Sequence, residues 1–162
     1  MKSNIYILLG SNLGDREQHL SKAREKIQKA GCAITRTSSI YQTSPWGKTN
    51  QPDFLNQVIC ITTKFNALEL LGILLQIETA LGRIRSEKWG ERTIDIDILF
   101  YDNQVIARED LTIPRPGISS RRFTLVPLCE IAAEFIHPVL QENLKTLLEK
   151  CPDLSLVEKF KP

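Results

Sequence analysis

The sequence predicts an α+β fold in which strands and helices follow the order βαββαβ. Three observations carry that reading. Runs rich in β-branched and apolar residues recur at 4–9, 33–41, 55–63 and 93–98. Two intervening stretches repeat apolar residues at helical spacing instead. Each of those stretches opens on a cap-like pair and closes on a glycine. The resulting order is the ferredoxin-like one, with helices laid on a face of an antiparallel sheet.

Residues 4–9 read as a buried first strand, and Gly10-Ser-Asn-Leu-Gly14 as a turn. Asp15 and Gln18 resemble a helix-starting pair. Leu20, Ala23, Ile27 and Ala30 then form an apolar stripe, with Gly31 where the chain must leave the helix. Residues 33–41 and 55–63 read as the second and third strands. Asn66 and Glu69 open a second helix with Leu70, Leu71, Leu74, Ile77 and Leu81 on one side, closed by Gly82. Ile94, Ile96 and Ile98 alternate with Thr93, Asp95 and Asp97, a strand with one apolar and one polar face. The tail holds a turn-rich segment at 101–122, an apolar segment at 123–128 and a helix near 142–150, whose helices could cover part of the sheet. Two long connections, 42–54 and 83–92, each carry a tryptophan and read as candidate lids.

With 162 residues, one domain over 1–162 is expected. A formal charge of +2 argues against a dedicated nucleic-acid binder. Cys32, Cys60, Cys129 and Cys151 are widely spaced with no CxxC, which reads as reduced thiols in a cytoplasmic protein. The apolar run at 5–9 is too short for a signal peptide or a membrane span, so no membrane association is expected.

The chemistry concentrates in the fourth strand. Asp95 and Asp97 point to the same side, roughly 6–7 Å apart at strand rise. A solvated polar face is the plainer account of two acids alone. The adjoining loop changes the balance, because Arg83, Arg85, Lys88, Trp89 and Arg92 run straight into the strand. Mg²⁺ takes one or two carboxylates and fills its shell with phosphate oxygens and water. Arginine forks suit phosphate. Trp46 and Trp89 lie in polar loops and could flank a planar heterocycle, whereas Phe54 and Phe123 could equally be core. The glycines at 10–14 match neither a P-loop nor a dinucleotide fingerprint.

Taken together, the chain resembles the 6-hydroxymethyl-7,8-dihydropterin pyrophosphokinases of folate biosynthesis. The resemblance is carried by LLGSNLGD at 8–15, by Ser39-Ile-Tyr41-Gln-Thr43 and Gln51-Pro-Asp-Phe54-Leu-Asn56, by Ile77-Glu78 before Leu81-Gly82-Arg83, and above all by Trp89-Gly-x-Arg92-Thr-Ile-Asp95-Ile-Asp97. It implies a transferase that moves the terminal diphosphate of ATP to the pterin hydroxymethyl oxygen and releases AMP. It implies two Mg²⁺ ions on Asp95 and Asp97, with Asp97 helping to remove the hydroxyl proton, and Arg83 and Arg92 acting on the phosphates. On the ATP side it implies Glu78, Arg83, Arg85, Trp89, Arg92, Ile98, Thr112, Arg115 and Arg121. On the pterin side it implies Thr43, Ser44, Trp46, Phe54, Asn56, Trp89, Asp95 and Phe123. A monomer is expected, with product handed to a separate dihydropteroate synthase.

Three positions depart from the family pattern. Pro114-Arg115-Pro116 stands where Pro-His is common, and Arg is larger and always charged. Trp46 replaces smaller apolar residues and implies a narrower or better-capped pterin pocket. Gln76 precedes Glu78 by two positions and not three, so the family's adenine-side Gln role is not carried over. Two other readings share the βαββαβ order. A palm-like nucleotidyl transferase or cyclase would also use two acids, but would release pyrophosphate. An RNA-binding module would place aromatics, and not acids, on the distinctive strand face.

Overall fold

The computed structural model describes residues 2–44, 51–82 and 93–162. Strand β1 (Lys2–Ser11) is apolar on both faces and so demands cover on both; it lies between β4 (Phe54–Thr63) and β5 (Asp95–Tyr101). The sheet order is β5-β1-β4-β3-β8, with β3 spanning Tyr41–Thr43 and β8 Val157–Lys159. A further strand, β2 (Ala33–Thr37), also pairs with β4. Every pairing is antiparallel. The fold is therefore the expected antiparallel one, with an extra edge supplied by β8.

The first face is closed by helices α1 (Arg16–Lys29) and α2 (Ala67–Ala80). Ile5, Ile7, Leu9, Ile59, Ile61, Ile96 and Ile98 of the sheet pack there against Leu20, Ala23 and Ile27 of α1 and Leu70, Leu74 and Ile77 of α2. Local sequence defines both helices. Asp15 accepts from the Gln18 N–H, and Asn66 with Glu69 forms a reciprocal capping box at 2.9 Å each way. Both helices stop where Gly31 (φ 104°) and Gly82 (φ 89°) turn left-handed.

The second face is covered as well, by α3 (Arg122–Ala132) and α4 (Leu144–Lys150). Tyr6, Leu8, Val58, Cys60, Leu99 and Phe100 meet Leu125 and Leu128 of α3 and Leu144 and Leu147 of α4. Phe100, Tyr6 and Phe135 form an aromatic cluster with centroids 4.8–6.3 Å apart. The sequence marks 123–128 only as an apolar segment. It is the first part of α3, whose helical pattern is interrupted by Pro127. The run 33–41, read as one strand, is two. Ser38 breaks it: its N–H donates to the Val58 carbonyl while its hydroxyl accepts from the Val58 N–H, both at 2.9 Å. A side chain thus substitutes for a ladder carbonyl, as serine is apt to do. Within the turn-rich 101–122, a two-stranded ribbon of β6 (Ile106–Ala107) and β7 (Thr112–Ile113) forms, followed by a 3-10 turn at Ile118–Ser120.

Strand β5 carries a bulge. Tyr6 of β1 faces Phe100 while Ile7 faces Ile98, so Leu99 is the inserted residue. Cys32, Cys60 and Cys151 are buried, Cys129 is half-buried, and all four are free thiols. No helix among the described residues is long and apolar enough to cross a membrane.

Glu130 ties α3 to β3. Its carboxylate accepts from the Ser39 N–H (3.0 Å), the Ser39 hydroxyl (2.8 Å) and the Tyr41 hydroxyl (2.6 Å). Burial pushes this carboxyl up. The hydrogen bonds from Tyr41 and Ser39, with Lys159 nearby, outweigh it and hold the pKa below the usual glutamate value. The linked stability is therefore present above that usual value and fades as pH falls through the lower folded value. Glu130→Ala should cost about 0.5–1 kcal/mol in urea denaturation at neutral pH, because the carboxylate is exposed and water screens part of its contacts. The difference from the parent should shrink in acid, and a pH-independent difference would contradict the assignment.

Candidate functional site

The register of three strands assembles the site. Gly10 of β1 faces Asn56 of β4 on one side and Asp95 of β5 on the other. Two residues back, Leu8 faces Val58 and Asp97. Leu8 and Val58 belong to the second-face core. Strand alternation therefore puts Gly10, Asn56, Asp95 and Asp97 on that same face. On β3, Tyr41 faces Asn56 and Thr43 faces Phe54, which adds Thr43 and Phe54 to the row. The two carboxylates thus stand at one end of a continuous floor and the Asn56 amide at the other. Their strands are two steps apart, roughly 10 Å at the usual spacing. Asp95 and Asp97 are half-buried in a sheet otherwise closed at that depth.

Gly10 is required by space and not by backbone angle. A Cβ there would lie 2.8 Å from Asn56 Oδ1 and 3.9 Å from Phe54 Cδ1. The bare backbone lets the Asn56 side chain cross the floor, where its Nδ2 donates to Thr43 Oγ1 at 3.2 Å. Asn56 is buried, so its orientation is set by the protein before any ligand arrives. Thr43 is buried with it, while Ser44 just beyond is exposed.

Asn12 was legible in the sequence only as part of a turn, yet it organises this end of the site. Its Nδ2 donates to Gln51 Oε1 (2.8 Å) and to the Pro52 carbonyl (3.1 Å). Arg16 donates to the Asp53 carbonyl at 2.8 Å, and Gln42 Nε2 to Asp53 Oδ2 at 3.0 Å. Together they hold residues 51–53 against the end of β1 and so fix the approach to Phe54. The signal available was composition: a buried Asn in a polar turn needs partners.

The opposite rim comes from the segment after β7 and from the start of α3. Arg115 is anchored by its main chain, donating its N–H to the carbonyl of the bulged Leu99 at 3.0 Å. Its guanidinium lies 3.4 Å from Asp97 Oδ1. Burial lowers the pKa of Arg121; neighbouring Arg115 lowers it further and Asp97 raises it, which places all three groups in one electrostatic neighbourhood. Phe123, in the first turn of α3, is half-buried at the edge of the second-face core. Thr112 is exposed on β7.

Two expected nucleotide-side residues sit differently from a simple surface contact. Glu78 is only 1% exposed, and its Oε2 accepts from the Ile96 N–H at 2.7 Å. It braces the strand between the two aspartates. The Ile98 side chain is in the first-face core, so a contribution to a ligand is left to its main chain on the edge strand. Of the remaining expected site residues, Trp46, Arg83, Arg85, Trp89 and Arg92 lie outside the described residues.

The donor set fits a hard divalent cation that brings other ligands with it. Asp95 and Asp97 offer carboxylate oxygens on one face. Among the described residues no group of three or more His, Cys, Asp or Glu could hold a metal by itself. Two carboxylates suffice when phosphate and water complete the shell.

The chain has relatives among known proteins. Residues 6–133 match the family model described as 7,8-dihydro-6-hydroxymethylpterin-pyrophosphokinase. The chain is 44% identical over 135 residues to a 2-amino-4-hydroxy-6-hydroxymethyldihydropteridine pyrophosphokinase of Bacillus subtilis, covering 83% of this chain and 81% of that one. It is 44% identical over 134 residues to the protein of the same name from Haemophilus influenzae, covering 82% and 84%. In structure it is similar to Plasmodium falciparum HPPK-DHPS solved with pterin and p-hydroxybenzoate, with a TM-score of 0.73 at 19% identity. That match covers 93% of this chain and 43% of the solved one, so the chain spans under half of its length.

Gly10→Ala should destabilise the protein by about 1–3 kcal/mol, because overpacking against a buried amide forces Asn56 to move. Urea denaturation measures it, and an unchanged midpoint would show that the floor yields freely.

Proposed function

The chain belongs to the 7,8-dihydro-6-hydroxymethylpterin-pyrophosphokinase family, enzymes of folate biosynthesis that transfer diphosphate from ATP to a hydroxymethyldihydropterin, and on that premise we propose how its residues divide the work. The observation that carries the reading is the shared floor. The acids that would hold metal and the amide that would read the pterin edge face the same side, with Gly10 between them. A diphosphate donor and its acceptor can therefore meet above one row of the sheet.

Asp95 and Asp97 bind two Mg²⁺ ions that accompany ATP. Bound there, Mg²⁺ supplies charge neutralisation and alignment for an in-line displacement at the β-phosphorus. Asp97 also accepts the hydroxyl proton as the pterin oxygen attacks. Arg83, Arg85, Arg92, Arg115 and Arg121 contact the phosphates, and Arg83 and Arg92 act as the charge strengthens in the transition state. Glu78 contributes by bracing β5, with Ile98 through its main chain and Thr112 at the nucleotide rim. Asn56 both donates to and accepts from the pterin's amide edge. Thr43, Ser44 and Trp46 line that edge, while Phe54 and Phe123 stack on the ring and Trp89 closes over it. Asp95 also touches the pterin side, because it faces Gly10 at the middle of the floor. The protein works as a cytoplasmic monomer organised as a single domain over 1–162. Its product passes to a dihydropteroate synthase, and it binds neither nucleic acid nor membrane.

Incubation with ATP, Mg²⁺ and the reduced pterin should yield AMP only when pterin is present. Release of pyrophosphate, or AMP without pterin, would overturn the reading. Asp97→Ala should cut turnover at least about a hundredfold with an unchanged melting temperature, in line with loss of a main transition-state contact. Steady-state kinetics of Arg92→Ala should show kcat falling more than KM rises. An unchanged kcat would remove Arg92 from the chemical step.

A further inference from the structure

Arg115 has two features that together suggest more than a phosphate contact. Its base is stiff: the residue sits between Pro114 and Pro116, and its N–H is fixed on the Leu99 carbonyl at 3.0 Å. Its tip borders solvent, the side chain being 43% exposed while the Asp97 side chain it reaches at 3.4 Å is 22% exposed. We propose that the Arg115 guanidinium is a resident countercharge for Asp97, held against the carboxylate in the nucleotide-free protein and displaced to the phosphates when Mg²⁺ arrives with ATP. The inference rests on the reading of Asp97 as a metal ligand.

The electrostatics favour such an exchange. Arg121 shares the neighbourhood of Arg115 and Asp97. A bare divalent cation on Asp97 would stand beside two guanidiniums that had lost part of their anionic partner. Like charges a few ångströms apart repel even in a water-like medium. A cation delivered with a polyphosphate brings the anions that both guanidiniums then need. The site so arranged discriminates against free metal and accepts the metal–nucleotide complex. Histidine at the same place, neutral above its ordinary pKa near 6.5, would not exert this control. Arg115 is in this respect a positioning residue, acting on metal through Asp97.

Mn²⁺ binding to the nucleotide-free full-length chain, followed at pH 8 by loss of the free-ion paramagnetic resonance signal, tests the proposal. R115Q should bind Mn²⁺ about fivefold more tightly, the equivalent of about 1 kcal/mol for a partly exposed ion pair. R115H should do the same at that pH, and serves if R115Q fails to fold. R115K retains the charge and should stay within about twofold of the parent. Both neutral variants should bind the metal–ATP complex more weakly than the parent. Equal Mn²⁺ affinity in the parent and the neutral variants overturns the proposal. D97N separates the two readings: if it binds Mn²⁺ as the parent does, the metal assignment itself fails. If it loses Mn²⁺ while R115Q and R115H remain unchanged, only the countercharge role fails.

Discussion

The pairing of β1 with both β4 and β5 is the constraint on which the rest depends. One strand, apolar on both faces, must be flanked by strands and roofed on two sides. Its register then decides which residues of its neighbours become companions. A one-residue slip of β5 would send Asp95 and Asp97 into the α1/α2 core and lift Ile96 and Ile98 to the opposite face. The apolar set that forbids that slip is the same set that closes the core. Folding specificity and site assembly are therefore one requirement.

Much of this was legible because it was local or periodic. The acid strand alternates, the two helices carry their own caps and stops, and the central strands are long. What escaped depends on partners distant in sequence. Ser38 breaks a strand only because Val58 is there to pair with its side chain. Pro127 interrupts the pattern of a helix that burial against Leu8 and Val58 still favours. β8 has three residues and exists because β3 offers an edge. At the site, the acid pair and Asn56 were readable as residue types. The bracing by Glu78, the clearance at Gly10 and the anchoring by Asn12 follow from cross-strand geometry that no spacing rule encodes.

The two faces of the sheet perform different tasks with similar means. The first is wholly occupied by α1 and α2 and serves stability. On the second, α3 and α4 cover the apolar part, and beyond it polar side chains replace apolar ones along the same strands. Val58 gives way to Asn56, and Leu8 to Gly10, within two residues. The transition from core to site is thus a change of side chain on a fixed backbone, which lets the buried half hold the polar half still.

The bulge at Leu99 has a consequence for how this site can change over generations. Because it offers a main-chain carbonyl to residue 115, the position of that residue is specified without reference to its side chain. Identity at 115 can be exchanged while the backbone stays in place. A lineage can thereby retune how its active site receives charge through one codon, leaving the sheet beneath undisturbed.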